Sequence, residues 1–598
     1  MAQSPQLSGT GREADFAFEC DTQERPQMIR IITLFVLLLA QIAVAENTPA
    51  ELILRGGTVY SLDTRGSSHT AIAVSGNRIV ALGTEADINL LMNDETEVIE
   101  LDGRVVFPGF IDTHIHTMDT LPLLNGVMLS PGQTADEVLE AIAKHAATFP
   151  SQNPVLGSGF LARAFGINGP TAAQLDAVVP HRPALIIDEG GHTAWANSLA
   201  LASAEISAQT PDPVPGAHFF QRDQLGNPTG WLVEGAAIEP VKEALGVVSE
   251  RSLRSAAPGF FNDMSAVGLT AAFDAGMIDT GRLGMQIARE LAETDALPLR
   301  MVGSLYINTP NDLLTAHEEL SALREIYDHE LFSVTTLKLS LDGTVEAKTA
   351  VTLSPYLAPE GHEAKPLLPD AQVFNAVFEA YNLGFDLHLH AIGDGAVRTA
   401  LDAIEAGQAA HPKTDVRATI CHIEVVDAAD IDRFGALGVV AQTTPTWFEY
   451  DEIAMEFLGP NRFEQLYPLA SILRNGGRVT LGSDYPVSWI GKDALNPLFN
   501  IEMAVTRQRA GDANYPIQAR ASERLSVDQA IRAHTVDAAW QIRMEDTIGT
   551  LEVGKKADLV VLERDPYSTP IHSIHNIAVD ITVSDGRRVF QRVSAPNP

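Results

Sequence analysis

The sequence predicts an α/β protein built on a (β/α)8 barrel, with a β-sandwich made from both chain ends and an inserted α/β lobe. The middle of the chain alternates short apolar strands with helices, residues near 125–255 interrupt this alternation, and both ends contain strand-like runs only. Repeated strand–helix units imply a parallel sheet, and eight such units close into a barrel.

The alternation is clearest in the second half of the region 108–547, over which we predict the barrel. Strands are predicted at Thr336–Leu341, Phe385–His390, Ala418–Ile423, Val439–Thr443 and Arg478–Gly482. Helices are predicted at Asp370–Asn382, Gly395–Ala406 and Ala428–Phe434. The lobe, at about 125–255, is predicted to contain the helix Ala135–Ala147 and the strand Ala184–Ile187.

The two ends of the chain are predicted to pair with each other. β-branched runs broken by glycine lie at 51–62 and 71–82, and a further strand is predicted at 97–106 around Asp102-Gly103. The C-terminus repeats this pattern at 557–562 and 581–590. Neither end has enough strands for independent stability. We therefore expect residues 46–107 and 548–598 to form one composite sandwich.

A secretory signal peptide is predicted at residues 28–45. Arg30 precedes an apolar run of 15 residues that ends in Ala43-Val44-Ala45, which has the form of a cleavage site. The run is short for a membrane span, and an uncleaved anchor is the alternative. We expect a periplasmic or secreted protein with no stable membrane insertion after cleavage. Residues 1–27 are then a start-site extension, with Met28 as the initiator.

The charge of the chain limits its partners. With 41 Lys+Arg and 77 Asp+Glu, the net charge is −36. Such a surface repels the phosphates of nucleic acids and anionic lipids, so neither is an expected partner. We expect a small-molecule substrate. The oligomeric state is left open, with a homodimer as one alternative.

Two histidines stand at the end of an apolar strand in the motif PGFIDTHIH, residues 108–116. The side chains of His114 and His116, at positions i and i+2 of a strand, point to the same face. The C-terminal ends of barrel strands are where such proteins build their active sites. The pair therefore predicts a site for one metal ion.

Four further residues follow at the ends of later predicted strands, namely Lys338, His390, His422 and Asp484. Each of them alone is more often a structural residue, but all six in this strand order predict a divalent metal centre of one or two ions. Imidazole and carboxylate ligands in a hydrolytic site suit zinc, with manganese or iron as alternatives.

The order HxH, Lys, His, His, Asp resembles the amidohydrolase superfamily. The finer motifs resemble its amidohydrolase-3 branch, which includes N-substituted formamide deformylase and YtcJ-like proteins; they are PGFIDTHIH, GGHTAWANSLAL at 190–201, HAIGDGAV at 390–397, GSDYPV at 482–487 and GTLEVGKKADL at 549–559. The resemblance covers nearly the whole mature chain. It implies a metal-dependent TIM barrel that hydrolyses non-peptide carbon–nitrogen bonds of the amide or N-substituted formamide type.

The resemblance also implies a role for each ligand. His114 and His116 would hold the more buried ion with Asp484, His390 and His422 would hold the second, and a carboxylated Lys338 would bridge them. Asp484 would take a proton from the attacking water and pass it to the leaving nitrogen. His388, two residues before His390, is expected to lie behind the ligands.

Two departures from the family pattern concern the substrate. Gly395 follows HAIGD where the family often has a basic residue, and Ile423-Glu424 follows His422 where it often has Ala-Gln. We expect His192, Trp231 and Trp447 to contact the substrate. A lactone or phosphoester hydrolase, an isomerase and a non-catalytic regulatory relative are the alternative functions. A missing ligand would favour the last of these, and none is missing.

Overall fold

The computed structural model describes residues 49–593 apart from 131, 167, 488 and 489. The predicted extension at 1–27 and the predicted signal peptide at 28–45 lie outside the described residues. Within the part that the structure describes, no helix is both long enough and apolar enough to cross a bilayer.

The N-terminal segment forms five strands and the short helix Glu85–Ile88. The strands are β1 (Leu52–Tyr60), β2 (Ser68–Ser75), β3 (Arg78–Gly83), β4 (Glu97–Glu100) and β5 (Val105–Pro108). β4 and β5 both pair in parallel with β1. The single strand predicted around Asp102-Gly103 is therefore two strands, because both residues adopt positive φ and turn the chain between them.

The lobe follows the first barrel strand, β6 (Phe110–Ile115), and the short helix Thr117–Thr120. Its strands are β7 (Val127–Met128), β8 (Val155–Phe160), β9 (Ala184–Asp188), β10 (Thr193–Ala196), β11 (Phe219–Arg222) and β12 (Pro228–Val233). They form one sheet in the order β11-β12-β10-β9-β8-β7. The helices of the lobe are Ala135–Thr148, Ala172–Val178, Ser198–Ser203 and Gly235–Ala244.

Seven more parallel strands complete the barrel. They are β13 (Leu269–Asp274), β14 (Arg300–Ile307), β15 (Phe332–Ser340), β16 (Asp386–Ala391), β17 (Ala418–His422), β18 (Val440–Thr443) and β19 (Arg478–Leu481). Each pairs in parallel with its neighbour, from β6 through β13 to β19. Every residue of β6, β13 and β16 is buried, because helices cover the outside of the barrel and side chains fill its inside.

The helices around the barrel connect successive strands. They are Glu250–Ala266, Gly281–Glu293, Ala316–Ile326, Asp370–Leu383, Asp394–Ala410, Ile431–Leu437, Glu452–Leu458, Pro460–Phe463, Leu469–Arg474, Pro497–Thr506, Val527–Ala533 and Val536–Gln541. The first of them packs on β13. The lobe boundary predicted near 255 thus falls inside a helix that belongs to the barrel.

The chain ends with β20 (Leu559–Leu562), β21 (Val579–Ser584) and β22 (Arg587–Gln591). β20 pairs antiparallel with β5, so strands from both ends share one eight-stranded sheet. Apolar side chains from the two ends, such as Ile72 and Val561, pack in one common core. The predicted fold class, a barrel with a composite β-sandwich and an inserted lobe, is confirmed.

Candidate metal centre

A cavity of about 410 Å³ lies at the C-terminal ends of the barrel strands. Eight of the nine residues predicted for the site line it, namely His114, His116, Lys338, His390, His422, Asp484, His192 and Trp447. The structure therefore brings together the complete predicted ligand set, although its members are spread over five barrel strands and the loops that follow them.

His114 and His116 lie at the end of β6 and face the carboxylate of Asp484. The Nε2 atom of each imidazole lies 3.4 Å from Asp484 Oδ1. The Nδ1 atom of His116 is 2.8 Å from the carbonyl oxygen of Gly276, to which it donates. The Nδ1 atom of His114 lies 3.0 Å from His388 Nε2, so His388 stands behind this ligand. Contacts at Nδ1 leave both Nε2 atoms directed at Asp484.

The two ends of the barrel sheet meet at these residues. The backbone N–H of Asp484 donates to the carbonyl oxygen of His114 at 2.7 Å. Asp112 Oδ1 accepts the N–H groups of His114 at 3.1 Å and of Ser483 at 3.0 Å. A Cβ atom at Gly482 would lie 2.6 Å from the backbone nitrogen of His114, so only glycine permits this approach. Burial raises the pKa of Asp112 to about 7.

His422 ends β17 and is held in an uncommon backbone conformation. Its φ is 73°, and that of the next residue, Ile423, is 44°. A left-handed conformation is costly for a β-branched residue and is retained mainly where the surrounding structure enforces it. His422 Nδ1 is buried, has no hydrogen-bond partner among the described residues, and lies 3.7 Å from Asp484 Oδ2. Asp484 itself has a φ of 51°.

His390 and Lys338 lie on the opposite side of the cluster. The ring centroid of His390 is 4.4 Å from that of His422. Its Nε2 atom lies 3.6 Å from Asp342 Oδ1. The ammonium of Lys338 is buried and donates to Cys421 Sγ at 3.2 Å.

The electrostatics of the cavity keep three imidazoles neutral. Burial, reinforced by nearby cationic side chains that include Lys338, holds the pKa of His114, His390 and His422 well below the ordinary value. Neutral imidazole is the form that binds metals. The donor set therefore fits a divalent ion, because the nitrogen atoms of His114, His116 and His422 converge on one carboxylate. In the described part of the chain, His422 Nδ1 has no hydrogen-bond partner that would compete with an ion.

His192 reaches the cavity from the lobe and is paired with a buried carboxylate. Its Nδ1 atom lies 2.7 Å from Glu234 Oε2. Glu234 has a φ of 67° and also accepts the hydroxyl of Thr349 at 2.7 Å. Burial lowers the pKa of His192, but the charge of Glu234 outweighs it and raises this pKa to about 9. The pair fixes the position of the imidazole on the cavity wall.

The two tryptophans predicted to contact substrate have different positions. The indole of Trp447 stacks on His422 with ring centroids 5.3 Å apart and lines the metal cavity. Trp231 lies on β12 in the lobe sheet, where its ring packs against Gly169 and lines a separate cavity of about 350 Å³. The structure does not bring Trp231 to the metal cavity, since the lobe sheet directs this side chain elsewhere.

The sequence interpretation passed over three buried carboxylates that hold the site in place. Asp112 and Asp342 accept backbone N–H groups beside the ligands, and Asp274 accepts the N–H groups of Thr117 and Gly276 next to His116. Asp112 stands inside the motif DTHIH, and Asp342 follows the strand that carries Lys338. Asp112 and Asp342 could have been identified from the sequence, because each is an acidic residue in or next to a strand that carries a predicted ligand.

Comparisons with known proteins agree with this geometry. The Amidohydrolase family model, amidohydrolase-3 branch, matches residues 97–590. The exoenzymes regulatory protein AepA of Pectobacterium carotovorum subsp. carotovorum is 30% identical over 72% of this chain and 93% of its own length. N-substituted formamide deformylase of Arthrobacter pascens is 28% identical over 91% of this chain and 99% of its own.

A solved structure shows the same fold. The crystal structure of an uncharacterized metal-dependent hydrolase from Pyrococcus horikoshii OT3 is 20% identical, with a TM-score of 0.68 over 87% of this chain and 99% of that chain. The family model spans most of the chain, from the composite sandwich through the barrel to β22. The chain therefore belongs to the amidohydrolase family, in its amidohydrolase-3 branch, and is a metal-dependent hydrolase of that superfamily.

Proposed function

We propose that the protein hydrolyses a non-peptide carbon–nitrogen bond of the amide or N-substituted formamide type. The observation that carries this proposal is the convergence of three imidazoles, the buried His114 and His422 and the partly buried His116, on the carboxylate of Asp484. The similarity to a formamide deformylase over nearly the whole chain supports this class of substrate.

The metal in this proposal is zinc. His114, His116 and Asp484 would hold one ion, His390 and His422 would hold a second, and a carboxylated Lys338 would be a ligand of both. The bound ion supplies the Lewis acidity that makes water a nucleophile near neutral pH and polarises a carbonyl group. Lys338 is buried beside Cys421 and the imidazole of His114, which suits a side chain whose amine becomes an anionic ligand.

The residues around the ligands would move the proton and position the substrate. Asp484 takes a proton from the attacking water and donates it to the leaving nitrogen, so that the amine departs neutral. Only 3% of Asp484 is exposed, which limits proton loss to bulk solvent. His192, fixed by Glu234, and Trp447, stacked on His422, form the walls against which the substrate is oriented.

A substrate panel on metal-loaded protein tests the proposal. N-formyl amines, N-acyl amines, cyclic amides and lactones are compared by kcat/KM, with the Asp484→Asn variant as the control for contaminating activity. We expect the formyl or acyl amines to be the best substrates. Lactone or phosphoester hydrolysis without amide hydrolysis would contradict the proposal, as would equal rates in the Asp484→Asn variant.

Regulation without catalysis is a second candidate function. The observation in its favour is that a relative matched over 93% of its length is named as a regulatory protein of exoenzymes. A regulatory protein has no need of a complete set of ligands, whereas all six predicted ligands line the cavity in this chain. The absence of turnover over the whole panel by protein of verified metal content would favour regulation.

A further inference from the structure

A second cavity, of about 700 Å³, adjoins the metal cavity. We call it the acidic cavity. Gly190, Thr344, Trp447 and Val487 line both spaces, so the two meet at the face of Trp447. A molecule that occupies the metal cavity can therefore extend into the acidic cavity. The groups that line the acidic cavity decide which extension is stable there.

Six carboxylates line the acidic cavity. Two of them are Glu449, which pairs with Arg509, and the exposed Glu452; the other four come from different loops, namely Glu189, Glu346, Glu424 and Asp451. Oxygen atoms of Glu346, Glu424 and Asp451 all lie within 4.8 Å of one another. Among the described residues, none of the four carboxylates forms an ion pair. The two arginines that line the same cavity pair with other carboxylates, Arg163 with Glu456 at 2.9 Å and Arg509 with Glu449, itself a lining residue, at 2.7 Å.

Two of these carboxylates carry an oxygen that is buried and without a partner. Glu424 is 3% exposed and Glu189 is 8% exposed. In the part of the chain that the structure describes, Glu424 Oε1 and Glu189 Oε2 accept no hydrogen bond. A buried acceptor without a donor destabilises the fold, and more so when it is charged. Because both residues line the acidic cavity, a ligand that donates hydrogen bonds would remove this cost.

The backbone holds Glu424 in this position. Glu424 follows the two positive-φ residues His422 and Ile423 at the end of β17. Its carbonyl oxygen accepts the N–H of Tyr467 at 2.9 Å, and the N–H of Val425 donates to the carbonyl oxygen of Ile392 at 2.9 Å. Glu424 is therefore fixed in the wall of the acidic cavity.

The other walls of the acidic cavity are aromatic. They are formed by Trp447, Tyr450, Tyr467, Phe499 and Tyr515. Aromatic faces attract organic cations through the ring quadrupole. A metal ion draws its ligands from oxygen atoms and water and gains little from aromatic walls. Carboxylates combined with aromatic faces therefore favour an organic cation over a metal ion.

We propose that the acidic cavity binds a cationic group of the substrate, a primary ammonium or a guanidinium, while the scissile amide lies in the metal cavity. Glu346, Glu424 and Asp451 accept hydrogen bonds from the cation, and Trp447 covers it. This inference rests on the proposed function for the position of the scissile bond. The cation site itself depends only on the acidic cavity.

Matched substrates test the specificity. The monoformyl derivative of 1,4-diaminobutane carries a free ammonium, and the formyl derivative of n-pentylamine replaces it with a methyl group. We expect kcat/KM to be about tenfold or more higher for the cationic substrate, because a hydrogen bond to a charged group contributes about 1.5–3 kcal/mol. Glu346→Gln and Glu424→Gln should each reduce this ratio about tenfold. Glu452→Gln, an exposed carboxylate on the rim of the same cavity, is the matched control and should preserve the ratio.

A binding experiment separates this inference from the proposed function. Titration calorimetry of the metal-loaded full chain with n-butylammonium chloride should show binding that Glu346→Gln weakens and Glu452→Gln preserves. Such binding without turnover of either formamide would support the cation site and remove the proposed function. Turnover of both formamides at equal rates, without butylammonium binding, would overturn the cation site alone. Binding of calcium ions that Glu346→Gln abolishes, without butylammonium binding, would also overturn it.

Discussion

Trp447 separates two cavities that satisfy their polar groups in opposite ways. In the metal cavity, two imidazoles are each fixed by a contact at Nδ1, that of His116 with the carbonyl oxygen of Gly276 and that of His114 with His388. The Nε2 atoms of both rings face the carboxylate of Asp484. In the acidic cavity, Glu424 and Glu189 each keep a buried oxygen that has no hydrogen-bond partner among the described residues. The imidazoles of the first cavity are thus oriented by their neighbours, whereas these two carboxylates of the second cavity are left with unused acceptors.

The two cavities also differ in where their residues lie in the sequence. The candidate ligands of the metal cavity lie at the ends of barrel strands. The four unpaired carboxylates of the acidic cavity lie in loops that follow different strands. The reaction and the choice of substrate are thus assigned to different residues, which mutations can test independently.

The largest effect is expected from Asp484→Asn, which keeps the size of the side chain and removes its basicity. We expect kcat to fall by about 10²-fold or more, the scale of general acid–base catalysis, with an unchanged circular dichroism spectrum. Steady-state kinetics on the best formamide measure the change. Full activity in this variant would show that the metal cavity does not work as described.

Lys338→Ala should have the next largest effect. Without the amine that forms the proposed carbamate, we expect the protein to lose about one divalent ion per chain and activity to fall about 10- to 100-fold. Elemental analysis measures the ions, and short carboxylic acids should partly restore activity by replacing the bridge. A single tightly bound ion beside an unmodified Lys338 in the wild-type protein would refute the binuclear arrangement.

Glu346→Gln is expected to stabilise the protein at alkaline pH. Burial, with a smaller contribution from Asp451, raises the pKa of Glu346 from 4.5 to about 7. Above about pH 7 the carboxyl group is ionised in the folded protein although burial disfavours its charge, and this lowers the free energy of unfolding. Below about pH 4.5 the group is protonated in both the folded and the unfolded state, so this cost is absent. The Tm of the variant should exceed that of the wild type by about 2 °C or more at pH 8, and the difference should vanish near pH 4.5. Equal Tm values at pH 8 would show that Glu346 carries no such cost.

Trp447→Phe should have the smallest effect, because it keeps an aromatic face between the two cavities. We expect KM for the cationic formamide to rise about threefold, since cation–π attraction contributes about 0.5–1 kcal/mol. The value of kcat should change less than KM. A loss of kcat comparable to that of Asp484→Asn would mean that the stacking on His422 governs the ligands themselves.

The sequence predicted the barrel, and it predicted that the candidate metal ligands would line one cavity, because both follow local rules. His114 and His116 end a buried strand at the spacing that places them on one face, and Lys338, His390 and His422 end later strands in the same way. The barrel then brings all strand ends to one edge. The prediction of a single strand around Asp102-Gly103 was wrong, because these two positive-φ residues form a turn between two short strands that both pair in parallel with β1.

The acidic cavity and the position of Trp231 could not be predicted in this way. Glu346 and Asp451 lie in loops after different barrel strands, and Glu189 lies in the lobe, so no spacing connects them. Their proximity depends on how the lobe packs over the barrel. Trp231 was selected for its residue type alone, and the lobe sheet directs it into another cavity. Glu424 drew attention in the sequence only because it follows His422, and its place in the acidic cavity was not predicted.

The seam of the barrel has a consequence for folding. Asp112 joins the first barrel strand to the loop after the last one, through residues 371 positions apart in the sequence. The ligands His114 and Asp484 are adjacent only after this closure, which is among the contacts of greatest sequence separation and therefore among the slowest to form. A metal ion that needs both ligands cannot stabilise the chain before the barrel has closed. It binds the closed barrel and slows its reopening, so chelation should shorten the lifetime of the native state.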